Sequence, residues 1–425
     1  MPDSYLNCLI IFSLFALIGG FLVSRDKYWY SPSSLFLLVW ILTAGFSLVS
    51  APGYYFSATA LLYVFILLFV FWSGSSIIRN FLLPVNHLPD SAELNFNKYR
   101  DRFIIFYLVM LACSFLSVAS LLNESGLTIQ NAFNWEKIKI ISSELTEQRY
   151  AGGGQSRLTM LLLSLAYAGA IAGGWMGAIY KSPVQKICCT FILIPVFAYT
   201  FICTAKAVFL FGCILWLSGF LAASALCGKT FSKIINPRNL VFGVLIAACG
   251  YFIFIFAQAW RLNMNPFTLS NFAYIADYIK SYFSGNISAY SIWFDNADLS
   301  QTGIFFGNTL AGIYEQIGLL ERKPGIYHLQ YDVDNKMTFT NIFTLFRFIT
   351  DDFSLPGALC FMLILGICSS YFFQKSLSGS AIHASLLAPL YALVFWSGIA
   401  SIWAYNSVLF ACILFFLFIA FLYRK

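Results

Sequence analysis

Residues 58–78 read ATALLYVFILLFVFWSGSSII, and this stretch decides the class of fold. It contains no charged residue. As a single helix it is long enough to cross the hydrocarbon core of a bilayer, which needs about 20 residues. We therefore interpret it as a membrane-spanning helix and ask how much of the chain resembles it.

The composition of the whole chain agrees with that interpretation. Of its 425 residues, 60% are hydrophobic and only 10% are charged, whereas an ordinary soluble domain is about a quarter charged. The net charge of +7 comes from basic residues scattered between apolar runs, so it does not indicate nucleic-acid binding. The 11 cysteines lie in or beside apolar runs without metal-ligand spacing. We expect neither a metal nor another cofactor.

Comparable apolar runs predict an all-α polytopic membrane protein in which residues 1–425 form a single membrane domain. About eleven transmembrane helices are expected. They cover residues 5–23, 33–50, 58–78, 103–122, 158–180, 184–203, 207–227, 240–260, 356–373, 385–400 and 402–422.

Basic residues are concentrated in every second connection, as the positive-inside rule requires of cytoplasmic loops. Arg79, Lys98, Arg100 and Arg102, for example, all follow the third span. This asymmetry predicts a periplasmic N-terminus and a cytoplasmic C-terminus. The N-terminus has no basic n-region and no obvious small-residue cleavage site, so we expect the first apolar run to be a retained helix.

Two long connections then face outward, residues 123–157 and residues 261–355, the latter between the eighth and ninth spans. Both are rich in aromatic and aliphatic residues, so we expect them to pack on the membrane domain. Three helices are predicted in the second loop: Asn271 to Phe283, stopping at Gly285; Thr309 to Leu320, capped by Asn308; and Asn341 to Ile349, capped by Thr340 and ending before Pro356.

Small residues recur in the fifth span at Gly169, Gly173 and Gly177. Glycines four residues apart form one face of a helix and let a neighbouring backbone approach. We predict close helix packing at this ladder.

Four cations on the outer side are candidate ligand-binding residues: Arg149, Arg157, Lys206 and Arg261. The two arginines of the first loop flank the flexible run AGGG, and the other two adjoin apolar spans. Guanidinium groups bind phosphate in a bidentate manner, so several of them together predict a site for a lipid diphosphate. The alternative is that these cations only mark the membrane interface. Arg347 also lies near a span and is a fifth candidate.

Candidate acids and bases in the outer loops are Asp351, Asp352 and His328. The adjacent aspartates could raise each other's pKa, or they could form a solvated helix end. The pair Asp332 and Asp334 matches a D-x-D pattern for a divalent ion, although such a pattern is more often a solvated turn. We therefore predict no metal site.

Several reaction classes are disfavoured by missing motifs. The sequence contains no G-x-S-x-G, H-E-x-x-H or Walker motif. Its spans carry almost no charge, whereas ion-coupled transporters keep ionisable residues inside the membrane. These features argue against an ATP-driven pump, a familiar hydrolase and a coupled transporter.

Three segments of the second loop carry a resemblance to a known family. They read AYIADYIKSYFSGNISAYSIWF, GNTLAGIYEQIGL and TNIFTLFRFITDDFSLPGALCF, in that order. The last resembles an N-x-[FY]-T…D-F-x-x-x-G pattern through Asn341, Phe343, Thr344, Asp352, Phe353 and Gly357. Together with Arg261, the TAK of residues 204–206 and Arg149 beside its glycine run, the chain resembles the bacterial oligosaccharide repeat unit polymerases, the Wzy family of O-antigen polymerases.

The resemblance implies a GT-C-like glycosyltransferase at the periplasmic face of the bacterial inner membrane. Its donor would be a growing glycan on undecaprenyl diphosphate and its acceptor one lipid-linked repeat unit, with no nucleotide sugar. A diphosphate leaving group needs no protonation, so Arg261, Arg149, Arg157 and Lys206 would neutralise its charge. Asp352, Asp351 or His328 would accept the proton of the attacking hydroxyl.

Binding of the saccharide is expected to involve further residues of the second loop. Tyr282, Tyr290 and Trp293 could stack on sugar rings, or they could pack in the protein core. Asn341 and Arg347 complete the predicted substrate-binding residues. Membrane lipids are expected partners, and a chain-length regulator is a further candidate partner.

Two other functions compete with polymerisation. An O-antigen ligase would use the same donor with lipid A-core as acceptor, and it too would need outer arginines. A lipid-linked oligosaccharide flippase would not be an enzyme, and it should have short outer loops and repeated halves. Because the outer loop at 261–355 is long, we rank the flippase third.

Overall fold

The computed structural model describes residues 2–81, 89–126, 140, 144–145, 147, 155–230, 250–252, 254–262, 264–265, 267–299, 303–320, 330–334 and 338–424, with backbone only for 2–3 and 89–97. Within these ranges the regular secondary structure is helical except for one two-stranded hairpin. Nine helical stretches of the described residues are long and apolar enough to cross a membrane. The protein is an all-α, multi-pass membrane protein.

The helices of the first half are α1 (Pro2–Ser24), α2 (Pro32–Ser50), α3 (Ala58–Phe81), α4 (Pro89–Glu124), α5 (Arg157–Ile179), α6 (Pro183–Cys188), α7 (Leu193–Cys203) and α8 (Lys206–Leu226). The second half contains α9 (Leu269–Asn296), α10 (Ala311–Gln316), β1 (Tyr331–Asp332), β2 (Phe339–Thr340), α11 (Leu345–Leu377), α12 (Ala381–Trp396), a 3₁₀ turn (Ile402–Ala404) and α13 (Asn406–Tyr423).

Nine of the eleven expected spans coincide with these candidate membrane helices. Most of the eighth, residues 240–260, lies outside the described residues. The tenth, residues 385–400, corresponds to α12, which is apolar but only 16 residues long. The number eleven and the GT-C-like arrangement therefore remain predictions.

The helix expected to stop at Gly285 does not stop there. Instead α9 continues to Asn296. A Cβ at Gly285 would lie 3.2 Å from Thr340 Cγ2, so the glycine admits the β-hairpin and does not end the helix.

The helix predicted from Thr309 to Leu320 is only the short α10, Ala311–Gln316. Asn308 does not cap it, because its side-chain amide donates a hydrogen bond of 3.0 Å to Asp352 Oδ1. The Asn308 side chain therefore bonds to Asp352, 44 residues away, and not to a backbone N–H of its own helix.

The helix predicted from Asn341 to Ile349 begins later, at Leu345, because Thr340 belongs to strand β2. The predicted break before Pro356 is present as a kink within α11, where Ser354 adopts φ 63° and ψ 177°. The kink leaves Pro356 at the start of the second helical part, where a missing N–H disrupts no helical hydrogen bond.

The chain forms two compact units. The first comprises Met1–Val85, Tyr278–Gln374 and Leu390–Asn406, and the second Asn86–Asp277, Lys375–Pro389 and Ser407–Lys425.

The core of the second unit is built on glycine contacts, which confirms the close packing predicted for the ladder in α5. A Cβ at Gly173 would lie 2.5 Å from the Cys189 carbonyl oxygen. Between α5 and α8 the approach is closer still: a Cβ at Gly174 would meet the Trp216 carbonyl oxygen at 1.8 Å, and one at Gly219 the Ile171 oxygen at 2.1 Å.

In the first unit, glycines likewise allow α3 and α11 to pack closely. A Cβ at Gly74 would lie 2.4 Å from the Leu363 carbonyl oxygen, and one at Gly366 would lie 2.1 Å from the Phe71 oxygen. These contacts position the first part of α11 and the residues that it carries.

Candidate functional site

Each unit contains a cluster of cationic and aromatic side chains. We call the cluster of Lys206, Gln258, Arg261 and Phe254 in the second unit the Lys206 cluster. We call that of Arg347, Asp351, Phe343 and Trp293 in the first unit the Arg347 cluster.

A tight turn between α7 and α8 positions Lys206. Thr204 ends α7 in the left-handed conformation at φ 48°, which is rare for a β-branched residue, and α8 begins two residues later. This turn places Lys206 at the first position of α8. Its ammonium donates a hydrogen bond to Gln258 Oε1 and lies 5.5 Å from the centre of the Phe254 ring.

Arg261 is the second cation of the Lys206 cluster. Residues 254–261 are helical, so Gln258 and Arg261, three positions apart, lie on the same face. Lys206 hydrogen-bonds to Gln258, so Arg261, one helical turn after Gln258, belongs to the same cluster. Two basic side chains beside one amide donor are suited to bind an anion.

Gln258 shows how firmly the cluster is enclosed. The residue is only 1% exposed, and its Nε2 has no hydrogen-bond partner among the described residues. A buried amide donor without an acceptor is unfavourable by about 1–3 kcal/mol. An acceptor oxygen beside Lys206 would satisfy it.

Arg157 is also in the second unit, at the start of α5, and is exposed. Ser156 caps α5 by accepting a hydrogen bond from the Thr159 N–H, and the Ser156 N–H donates to Glu124 Oε2 at 3.2 Å. Gln155 accepts a hydrogen bond from the Tyr199 hydroxyl of α7. These bonds hold the start of α5 beside the end of α7, close in sequence to Lys206.

The Arg347 cluster is more enclosed. Arg347 is 4% exposed, its guanidinium carbon lies 3.9 Å from the centre of the Phe343 ring, and the Trp293 ring is 5.3 Å away. Its Nε lies 3.5 Å from Asp351 Oδ2. Desolvated cation–π contacts contribute about 2 kcal/mol. Here the cation is held by one carboxylate and two rings of the same unit.

Tyr290 lies next to this cluster and is 1% exposed. Its ring centre is 5.4 Å from that of Trp293. Burial raises the pKa of Tyr290 well above its ordinary value, and the nearby Tyr63 and Asp351 add to this effect. The phenol is therefore neutral at physiological pH. The ring is packed in the core in this structure, which is the second of the two alternatives that the sequence left open.

The two adjacent aspartates have different partners. Asp351 faces Arg347, whereas the buried Asp352 accepts hydrogen bonds from the N–H groups of Asn308 and Thr309, both at 2.8 Å. The Asn308 side chain adds a third bond. Asp352 thus anchors the chain around residue 308, and its role as a base stays a prediction.

The remaining candidates are scattered or lie outside the described residues. Tyr282 is partly exposed, with its hydroxyl 3.2 Å from that of Tyr278. Asn341 is exposed next to β2. Arg149 and His328 lie outside the described residues.

The D-x-D pair lies on the β-hairpin. The Asp334 side chain accepts hydrogen bonds from the N–H and hydroxyl of Thr338, and Asp332 accepts one from the Asp334 N–H. These are turn contacts. Among the described residues no group of three side chains is arranged to hold a metal ion.

Sequence reasoning missed two partners of the cations. Gln258 could have been found, because a lone glutamine in an apolar span lies three residues before Arg261. Phe343 is four residues before Arg347 but precedes the start of α11, so helical spacing does not predict this contact. Trp293, considered above for sugar stacking, contacts Arg347 from another helix. No local sequence pattern predicts that contact.

Comparisons with known proteins add no assignment: no protein-family model, no curated protein and no solved structure matches this chain.

Proposed function

We propose that the protein is a glycosyltransferase that polymerises oligosaccharide repeat units carried on undecaprenyl diphosphate, at the periplasmic face of the inner membrane. This is the activity implied by the resemblance to the O-antigen polymerases. The observation that carries the proposal is the Lys206 cluster, with two adjacent cations and a buried amide donor at helix ends.

The donor's diphosphate fits the chemistry of this cluster. Lys206 and Arg261 would bind its oxygens, and the Gln258 amide would donate a hydrogen bond to one of them. As the sugar–phosphate bond breaks, negative charge grows on the leaving diphosphate. Cations fixed in advance stabilise that charge more than the initial state, which is the requirement for catalysis.

Which carboxylate accepts the proton of the acceptor hydroxyl stays a prediction, but the two adjacent candidates of the first unit, Asp351 and Asp352, can be compared with each other. Asp351 suits this role better than Asp352, because Asp352 is occupied by three hydrogen bonds. Asp351 retains 25% of its side-chain exposure and has Arg347 as its ion-pair partner. An exposed carboxylate oxygen is accessible to a sugar hydroxyl.

Purified protein in lipid nanodiscs, supplied with undecaprenyl-diphosphate-linked repeat units, tests the proposal. The wild type should produce a ladder of glycan lengths on a gel. Arg261→Ala and Lys206→Ala should each reduce the rate by about 10²–10³, the usual effect of removing a donor to a developing charge. The matched control is Lys280→Ala, which removes an exposed cation of the outer stretch and should leave the ladder unchanged.

Three outcomes would contradict the polymerase. If the purified wild type gives no ladder, or if the Arg261→Ala ladder equals that of the wild type, the proposal is wrong. Transfer of glycan to added lipid A-core without elongation would identify a ligase instead.

A further inference from the structure

The segment of residues 303–320, GIFFGNTLAGIYEQIGLL, has an unusual surface for a loop expected to face water. Glu315 is its single charged residue. Five large apolar side chains are 40–66% exposed: Ile304, Phe305, Ile313, Ile317 and Leu319. Such a dense set of exposed apolar groups indicates a surface that is covered by something.

The segment is fixed to the helices that enter the membrane. The Gly303 N–H donates to the Asp351 carbonyl at 2.7 Å, and the Ser401 hydroxyl donates to the Thr309 carbonyl at 3.0 Å. A Cβ at Gly312 would lie 2.4 Å from Asn406 Oδ1, at the first residue of α13. Residues 303–312 therefore lie level with the beginning of a membrane span.

An aromatic contact extends the segment toward the bilayer interior. The Phe306 ring centre is 4.9 Å from that of Phe353 and 5.8 Å from that of Phe361. Phe361 lies five residues beyond Pro356, within the apolar part of α11. At 1.5 Å per residue it is about 7 Å farther along the helix than Pro356.

Several backbone N–H groups of the segment have acceptors within the protein. The N–H groups of Asn308 and Thr309 donate to Asp352, and those of Leu310 and Ala311 donate to carbonyl oxygens of the segment. Non-helical backbone can lie at membrane depth only when its polar groups have such internal partners. The buried carboxylate of Asp352 supplies two of them.

We propose that residues 303–320 form an interfacial segment that inserts into the outer leaflet, with Ile304, Phe305, Ile313, Ile317 and Leu319 in contact with lipid acyl chains. The occupant of this surface is membrane lipid, because the surface is continuous with the apolar part of α11. The inference does not depend on the reaction catalysed.

Site-specific photocross-linking in native membranes tests this inference with the full-length protein. Benzoylphenylalanine is placed at Phe305 or at Ile317, the membranes are irradiated, and the mass of the purified protein identifies the adduct. The matched control is the same residue at Asn296, a polar and exposed position in the same unit. Elution as a single peak in size exclusion confirms that each variant is folded.

Phospholipid adducts should predominate at positions 305 and 317 and should be several-fold less abundant at 296. Adducts that join two copies of the chain, or another protein, would overturn the inference by showing a protein interface. Lipid adduct no more abundant than at 296 would overturn it by showing a water-facing loop.

Discussion

The cations of the Lys206 cluster and of the Arg347 cluster have different neighbours. Lys206 and Arg261 are two like charges beside a neutral amide. Arg347 is a single cation with its own carboxylate and two rings. We propose that the first arrangement binds an anion, whereas the cation of the second faces a carboxylate of its own unit.

This difference distinguishes a structural cation from a ligand-binding one, which the presence of a basic residue in the sequence does not do. A cation balanced by its own unit contributes mainly to folding, and its removal leaves an uncompensated partner. In our proposal, the two cations of the Lys206 cluster instead serve to bind a ligand. The following predictions test that distinction, from the largest expected effect to the smallest.

Arg347→Ala should give the largest loss of stability, about 3 kcal/mol, because it leaves Asp351 without the guanidinium and opens space between Phe343 and Trp293. The measurement is the unfolding midpoint of the purified protein in detergent. Arg347→Lys should recover only part of the loss, because an ammonium lacks the planar stacking surface. A midpoint equal to that of the wild type would show that the cluster is not structural.

Asp352→Ala should cost about 2 kcal/mol, since the Asn308 and Thr309 N–H groups lose their acceptor. Asp352→Asn is the matched control and should cost less, because its amide oxygen still accepts a hydrogen bond. The same melting experiment measures both variants. Equal midpoints for the alanine variant and the wild type would remove the anchoring role.

Pyrophosphate should stabilise the wild type by about 1.4 kcal/mol at roughly ten times its Kd, as expected for a ligand that binds only the folded state. Thermal melts with increasing pyrophosphate provide the measurement. The shift should disappear in Arg261→Ala and persist in Asp351→Asn, which leaves Arg347 in place. A shift that survives in Arg261→Ala would place the anion elsewhere.

The smallest effect is expected for Lys206→Met in the absence of ligand. The variant removes one of two like charges but also the donor to the buried Gln258 Oε1, so the two effects oppose each other and stability should change by less than about 1 kcal/mol. Lys280→Met is the exposed control and should have no effect. A clear loss of stability in Lys206→Met would show that Lys206, like Arg347, is balanced by the protein.

The membrane helices could be predicted from the sequence because their signal is local. A run such as residues 58–78 shows its length and polarity directly, and the structure has α3 there. The glycine ladder of α5 is equally local. The loop helices were harder, because Gly285 and Asn308 owe their conformations to Thr340 and Asp352, far away in the chain.

The candidate site was predictable only in part, for the same reason. Lys206 and Arg261 were found from unusual positions beside spans, but Gln258, 52 residues from Lys206, was not. Arg347 was found, whereas its contact with Trp293 requires knowledge of how α9 packs against α11. The sequence shows which residues are charged. Which group compensates each charge depends on tertiary contacts.

The reciprocal glycines of α5 and α8 have a mechanical consequence. Gly174 faces the Trp216 carbonyl and Gly219 faces the Ile171 carbonyl, each without space for a methyl group. Sliding either helix by one residue would bring a side chain against the backbone of the other helix. The register between α5 and α8 is therefore fixed. Longitudinal motion at this seam is blocked, so the spacing between Arg157 and Lys206, which begin these two helices, stays constant.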